Sequence, residues 1–213
     1  MAVVLRDACP GDVPFLADVL CMAGRGHLAR GVWDLALPDE RERTRVLESL
    51  AGGGEPSWCH RTAFHVAESD GVAGSALVAF EPGALGDPSL AKPLGAALAP
   101  LALDAERHAS LAATFAAYLT CFPALEPGTW IVENVGTRPE LRRRGLLARL
   151  LDRALDAGRR GGLANAQISC LIGNEAAQRA YEKAGFRVVE ERKDPAFEAL
   201  MGAPGFSRLT VEL

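Results

Sequence analysis

The residues best equipped for chemistry stand together at Arg142-Arg143-Arg144-Gly145, followed at once by Leu146-Leu147-Ala148-Arg149-Leu150-Leu151. Guanidinium groups present planar sets of donors suited to phosphate oxygens. The first turn of a helix adds N–H groups without intrahelical acceptors and about half a positive charge, so a helix opening just after a strand is an anion site. Gly145 has no Cβ, which lets a phosphate approach the backbone closely. Residue types and order therefore describe a cradle for a pyrophosphate. A second constellation, Asn174-Glu175-Ala176-Ala177-Gln178-Arg179-Ala180-Tyr181-Glu182-Lys183-Ala184-Gly185-Phe186, reads as a helix capped by Asn174 and stopped by Gly185, with Ala177, Ala180, Tyr181 and Ala184 on one face.

These residues need elements to hold them. Residues 135–151 read as a strand, a sharp turn and a helix, with Leu146, Leu147, Leu150, Leu151, Ala154 and Leu155 forming one buried stripe. Gly158, Gly161 and Gly162 are expected to end that helix, and 166–171 to form the next strand. A strand–helix–strand crossover makes its two strands parallel neighbours. Upstream, the sequence predicts a strand over 2–6, a helix through about Met22, a broken helical stretch over 24–57 and a hairpin of 62–68 with 72–80 around Ser69-Asp70-Gly71. The run Gly52-Gly53-Gly54-Glu55-Pro56 lacks the spacing of an NTPase phosphate loop and reads as a linker. Between 81 and 128 the composition shifts to alanine, leucine and proline, an all-helical insert before a strand over 130–137. Strands over 186–191 and 206–213, joined by a loop holding Pro195 and Pro204, close the chain.

Composition narrows the function further. The 213 residues carry a net charge of −4, which argues against a general nucleic-acid partner and makes the arginine cluster a local feature. Five scattered cysteines show no zinc or disulfide spacing, so no metal site is expected and a reducing compartment is. With no signal-peptide pattern and no long apolar run, the expectation is a soluble cytoplasmic protein without a membrane partner.

The two constellations together resemble the GNAT superfamily of N-acetyltransferases. Arg142-Arg143-Arg144-Gly145-Leu146-Leu147 is similar to its acyl-CoA signature, (Arg or Gln)-x-x-Gly-x-(Gly or Ala), with Leu147 departing at the last place. Residues 174–186 are similar to its N-x-x-A-x-x-x-Y-x-K-x-G-F pattern. The resemblance implies the acyl-CoA N-acyltransferase fold, an α/β (α+β) domain with a mixed, mostly antiparallel sheet of about seven strands, a splayed parallel pair and helices on both faces. It also implies a single domain over 1–213 with a helical insert at about 82–128. Acetyl-CoA would be the co-substrate: its pyrophosphate on Arg142, Arg143, Arg144, Gly145, Leu146, Leu147 and Ala148, its pantetheine arm along Val135, Gly136 and Thr137, with Asn174 and Tyr181 in further contact. Tyr181 would protonate the departing thiolate. The acetyl group would pass to a primary amine of a small molecule or peptide by direct attack in a ternary complex.

A base must take a proton from the amine, and Glu133 is the candidate. Strand alternation places Glu133, Val135 and Thr137 on one face, and burial would raise a carboxyl pKa toward the useful range. Asp34, Asp39 and Glu40, near Trp33, read either as attractors of a cationic amine or as helix-flanking charges. His27, His60, His65 and His108 are isolated and read as structural or exposed. The apolar insert helix over 111–118 reads as core or as the contact surface of a homodimer. The competing class is an acyl-CoA-binding or sensing module that keeps the cradle without the chemistry. Another type of nucleotide binder is disfavoured by the absence of GxGxxG and Walker patterns.

Overall fold

The computed structural model describes residues 2–85 and 90–213. Strands β1 (Val3–Asp7), β2 (Phe64–Ser69), β3 (Val72–Phe80), β4 (Trp130–Thr137), β5 (Asn165–Leu171), β6 (Arg187–Lys193) and β7 (Gly205–Glu212) form one sheet in the order β1-β2-β3-β4-β5-β7-β6. Every neighbouring pair is antiparallel except β4 with β5. The β2–β3 hairpin turns on Asp70 and Gly71, both at positive φ (51° and 83°), the conformation that twists correctly into two antiparallel strands.

Alternation along the central strands divides the core in two. Ala76, Val78 and Phe80 of β3 and Ile131 of β4 face one cluster, while Leu77, Ala79 and Val132 face the other. The first cluster takes α1 (Val13–Arg25), α2 (Val32–Ala36), α3 (Glu40–Gly52), α4 (Ala91–Leu98), α5 (Ala105–Leu119) and α8 (Pro195–Met201). The second takes α6 (Leu146–Arg160) and α7 (Glu175–Lys183), so helices cover both faces. Leu146, Leu150, Leu151, Ala154 and Leu155 of α6 are all buried, as their spacing requires. No helix among the described residues is long and apolar enough to cross a membrane.

Helices α4 and α5 lie between β3 and β4, where an insert over 82–128 was expected; residues 86–89 of that range lie outside the described residues. An aromatic cluster anchors the insert. Tyr118 of α5 packs against Phe122, Phe197 and Phe206 at centroid distances of 5.9, 5.9 and 5.4 Å, tying α5 to α8 and β7.

Two local expectations are corrected. The segment holding Pro195 is a helix, not a loop: Asp194 Oδ1 accepts from the N–H groups of Ala196 and Phe197, proline occupies the first turn, and Phe197 and Met201 are buried one turn apart. Seven residues are too few for periodicity to reveal it, although the Asp-Pro start was visible. Gly158 does not end α6, which runs to Arg160 and is capped at Gly161. A Cβ on Gly158 would lie 2.7 Å from Leu213 Cδ1 and 2.8 Å from Trp130 Cγ, so glycine lets α6 settle onto the start of β4. Gly158→Val should destabilise the fold by about 1–3 kcal/mol. Thermal unfolding should show this as a Tm lowered by several degrees.

Candidate active site

The site begins where the parallel pair parts. β4 and β5 are registered only through Trp130 with Ala166, Ile131 with Gln167 and Val132 with Ile168. Directly after this, Asn134 adopts φ 50°, a left-handed conformation that asparagine tolerates better than most residues. Against β3, Glu133 pairs with Val78 but Gly136 pairs with Ala76, so β4 holds one residue more than its partner. Such a bulge bends its strand and raises its twist. Asn134 Nδ2 donates to the Trp58 carbonyl at 3.2 Å, fixing the bend. At Gly136 a Cβ would stand 3.1 Å from Val19 Cγ1, so α1 presses directly on the diverging strand.

The bulge corrects the face assignment made from alternation. Glu133 and Gly136 lie opposite Val78 and Ala76, on the α1 side. Val135 packs into the cluster on the α6 side, and Thr137 pairs with Ser75, whose hydroxyl lies 2.8 Å from Thr137 Oγ1. Glu133, Val135 and Thr137 thus do not share a face.

Between the parted strands opens a cavity of about 1540 Å³. One end is walled by Arg142, Arg143, Gly145, Leu146, Leu147 and Ala148; its middle by Glu133 to Thr137, Ser169, Asn174 and Tyr181; its far end by α1, α2, α4 and α5. Almost all the residues singled out from sequence therefore meet in one space. Arg144 is exposed and stands outside the wall.

The arginine turn leaves the start of α6 uncapped. Arg143 (φ 62°) and Gly145 (φ 75°) are both left-handed, an arrangement that turns successive N–H groups to one side. Gly145 occupies the N-cap position, no side chain caps α6, and no acidic residue lies in its first turn. The first intrahelical bond runs from Arg149 N to Gly145 O, which leaves the N–H groups of Leu146, Leu147 and Ala148 to outside acceptors. Leu147, at the place where glycine or alanine is usual, is half-buried against the α6-side core. The side chain packs against that core, and the residue still lines the cavity.

Glu133 lies where the strands separate, bridged across the gap by Ser169 Oγ, which donates to Oε1 at 2.8 Å. Burial pushes its carboxyl from 4.5 to about 7, against the opposing effects of Ser169 and the Asn134 N–H. A carboxyl near pKa 7 is poised to accept a proton at neutral pH. Tyr181, on the buried face of α7, packs its ring edge-on to Phe186 at 6.5 Å and makes no hydrogen bond among the described residues. Burial, then the nearby Cys170 and Glu133, push its phenol above the ordinary range, so it holds its proton at neutral pH. Asn174 Oδ1 accepts from Ala177 N at 3.3 Å, the expected cap of α7, while the residue also lines the cavity.

Sequence reasoning missed three contributors. Ser169 gave no motif, though it sits where β5 leaves β4. Asn134 did carry a signal, since asparagine in the middle of a β-rich run marks a left-handed residue. Tyr118 read as part of an apolar helix, yet it lines the cavity and feels the charge of Glu133. Of the acids near Trp33, Asp34 and Asp39 prove structural. Asp34 is bound by Arg25 through Nε to Oδ2 at 2.7 Å and Nη2 to Oδ1 at 2.5 Å, and also accepts from Gly31 N; Asp39 caps α3.

A sequence model of the acetyltransferase (GNAT) family matches residues 33–186. The chain belongs to that family. No match was found among curated protein sequences. Among solved structures, the GNAT fold recurs in an acetyltransferase covering 98% of each chain at TM-score 0.69 and 17% identity. An N-acetyltransferase from Staphylococcus aureus Mu50 matches at TM-score 0.67 and 19% identity over 98% of this chain and 100% of its own. A mutant agmatine N-acetyltransferase in its apo form matches at TM-score 0.55 and 17% identity over 99% of each. At these identities the likeness is one of fold.

The raised pKa of Glu133 has a thermodynamic signature. Below the unfolded value of 4.5 both states hold the proton and there is no effect; between 4.5 and about 7 only the folded state keeps it. Above about 7 both have lost it and the full cost of a buried charge remains. Glu133→Gln removes that cost and can still accept from Ser169. Its gain in stability should grow as pH rises to 7 and then level off, on the order of 1–3 kcal/mol after allowance for solvent in the cavity. Melting curves at pH 5 and pH 8.5 would show a Tm increase that is larger at the higher pH.

Proposed function

We propose that this GNAT protein moves the acetyl group of acetyl-CoA to a primary amine, by direct attack of the amine on the thioester in a ternary complex. One observation carries the reading: a single cavity joins the uncapped, arginine-flanked start of α6 to a carboxyl near pKa 7 and a protonated tyrosine. A pyrophosphate fits the first end, where N–H groups and two guanidiniums face the same space. Past Val132 the β4 edge has no β5 partner, which suits the amide-bearing pantetheine arm added as an extra strand.

Each residue then has a step. Glu133 accepts a proton from the ammonium of the acceptor, directly or through a water, freeing the nitrogen lone pair. As nitrogen bonds to the carbonyl carbon, main-chain N–H groups of residues 135–137 stabilise the negative charge gathering on oxygen. When the carbon–sulfur bond breaks, Tyr181 gives its proton to the departing sulfur and recovers one from solvent or from the amine nitrogen through Glu133.

Thermal shift with acetyl-CoA, followed by thiol release against a panel of amines, tests the whole reading. Acetyl-CoA should raise Tm, Gly145→Val should abolish the rise, and at least one amine should release thiol. A rise without release from any amine would instead favour an acyl-CoA sensor. Absence of any rise would remove the anion-site assignment. The kcat/KM profile should fall as pH drops through about 7, the direction expected for a base that must be ionised. In Glu133→Gln that limb should disappear, at an activity lower by roughly 10²–10⁴. Tyr181→Phe should lower kcat without changing acetyl-CoA affinity, and a thioester with a more acidic thiol should restore much of the loss.

A further inference from the structure

The far end of the cavity has its own chemistry. Residues Leu111, Phe115 and Leu119 of α5 recur one turn apart and line it, as do Trp33 of α2 and Trp58 of the loop after α3. Phe115 meets Trp33 edge-on at 5.2 Å. Among the described residues lining the cavity, Glu133 is the one carboxylate, and it lies at the base of this chamber. Asp34, adjacent in sequence to Trp33, has both carboxylate oxygens held by Arg25 and Gly31. The arginines and lysine of the wall belong to the α6 turn and α7, at the opposite end, so among the described residues His27 is the one basic side chain near the chamber.

We propose, building on acetyl transfer to an amine, that the acceptor is a small primary amine carried on an apolar, aromatic body and bearing no second charge. Glu133 receives the ammonium end, and the rest of the molecule lies against the apolar wall that Trp33, Trp58 and α5 form. A polyamine would bring a further cation among apolar side chains, where no carboxylate meets it and aromatic faces replace only part of its hydration. A free amino acid would bring its carboxylate beside Glu133, where like charges repel. Phe115 and Leu119 are thus specificity-determining positions. Leu119 is 58% exposed, so its apolar side chain forms the rim.

Steady-state thiol release at saturating acetyl-CoA, with 2-phenylethylamine, agmatine, spermidine and phenylalanine as acceptors, tests this. The expected kcat/KM for 2-phenylethylamine exceeds each of the others by at least tenfold. Phe115→Ala should raise KM for 2-phenylethylamine more than for agmatine. Leu119→Glu, a change on an exposed rim that the fold can accept, should raise kcat/KM for agmatine several-fold and lower it for 2-phenylethylamine, with the thermal response to acetyl-CoA retained. Equal or better use of agmatine, spermidine or phenylalanine by the wild-type protein would overturn the acceptor class and leave acetyl transfer standing. Thiol release with none of a wide amine panel, despite stabilisation by acetyl-CoA, would overturn both.

Discussion

Everything in this molecule depends on two parallel strands that stay together for three residues and then separate. Parallel pairing normally continues as far as the hydrogen-bonding edge allows. Here it stops at Val132 and Ile168, where Asn134 inserts an extra residue against β3 and Val19 and Met22 of α1 press on Gly136, which has no side chain of its own. The break leaves main-chain groups of β4 without strand partners in the middle of the sheet, an arrangement a protein keeps only where another group satisfies them. It also opens the interior to the start of α6, which is fixed by the same strand. Removing the bulge would restore regular pairing and close the space in which the candidate residues other than Arg144 meet.

The electrostatics follow from that opening. Glu133 on an intact strand would be either solvated at an edge or buried and forced to neutrality. At the parting of the strands it is half-buried, close enough to the cavity to exchange protons and dry enough to hold its pKa near 7. Ser169 reduces the burial penalty without cancelling it. Tyr181, approaching from the other face on α7, feels burial in the opposite chemical sense: a phenol that is hard to ionise is a proton donor at neutral pH, as a carboxyl that is hard to ionise is an acceptor. A single low-dielectric gap thus separates an acid from a base without any charged partner for either.

Much of this frame was legible in the sequence because its signals are local. The stripe of α6, the Asn174 cap, the Asp-Gly hairpin and the crossover between β4 and β5 each follow from neighbouring residues, and each is present. The two motifs drew attention to the uncapped start of α6 and to Tyr181 for the same reason, and both line the cavity. What failed depended on context beyond the strand or helix in question. Alternation misassigned the faces of Val135 and Thr137 because one left-handed residue resets the parity of a strand. Gly158 read as a terminator because nothing nearby in sequence shows that Trp130 and Leu213 will lie against it. The role of Asp34 stayed open between attracting an amine and flanking a helix, since its ligands Arg25 and Arg43 reach it from two different helices.

The distinction between a catalyst and a module that only holds an acyl-CoA can be argued from cost. Binding a pyrophosphate needs the α6 turn, and that turn makes no use of Glu133. A carboxyl held near pKa 7 weakens the folded state at neutral pH, whereas glutamine at the same position could accept the Ser169 hydrogen bond without that penalty. A destabilising ionisable group within reach of a protonated tyrosine is the pattern expected where protons must move in both directions during one reaction. The apolar chamber adds to this. It extends the cavity beyond the parted strands, and its walls come from α1, α2, α4 and α5. A binding module has no use for that second compartment; a transferase needs one, because its acceptor must reach the thioester from the side the coenzyme does not occupy.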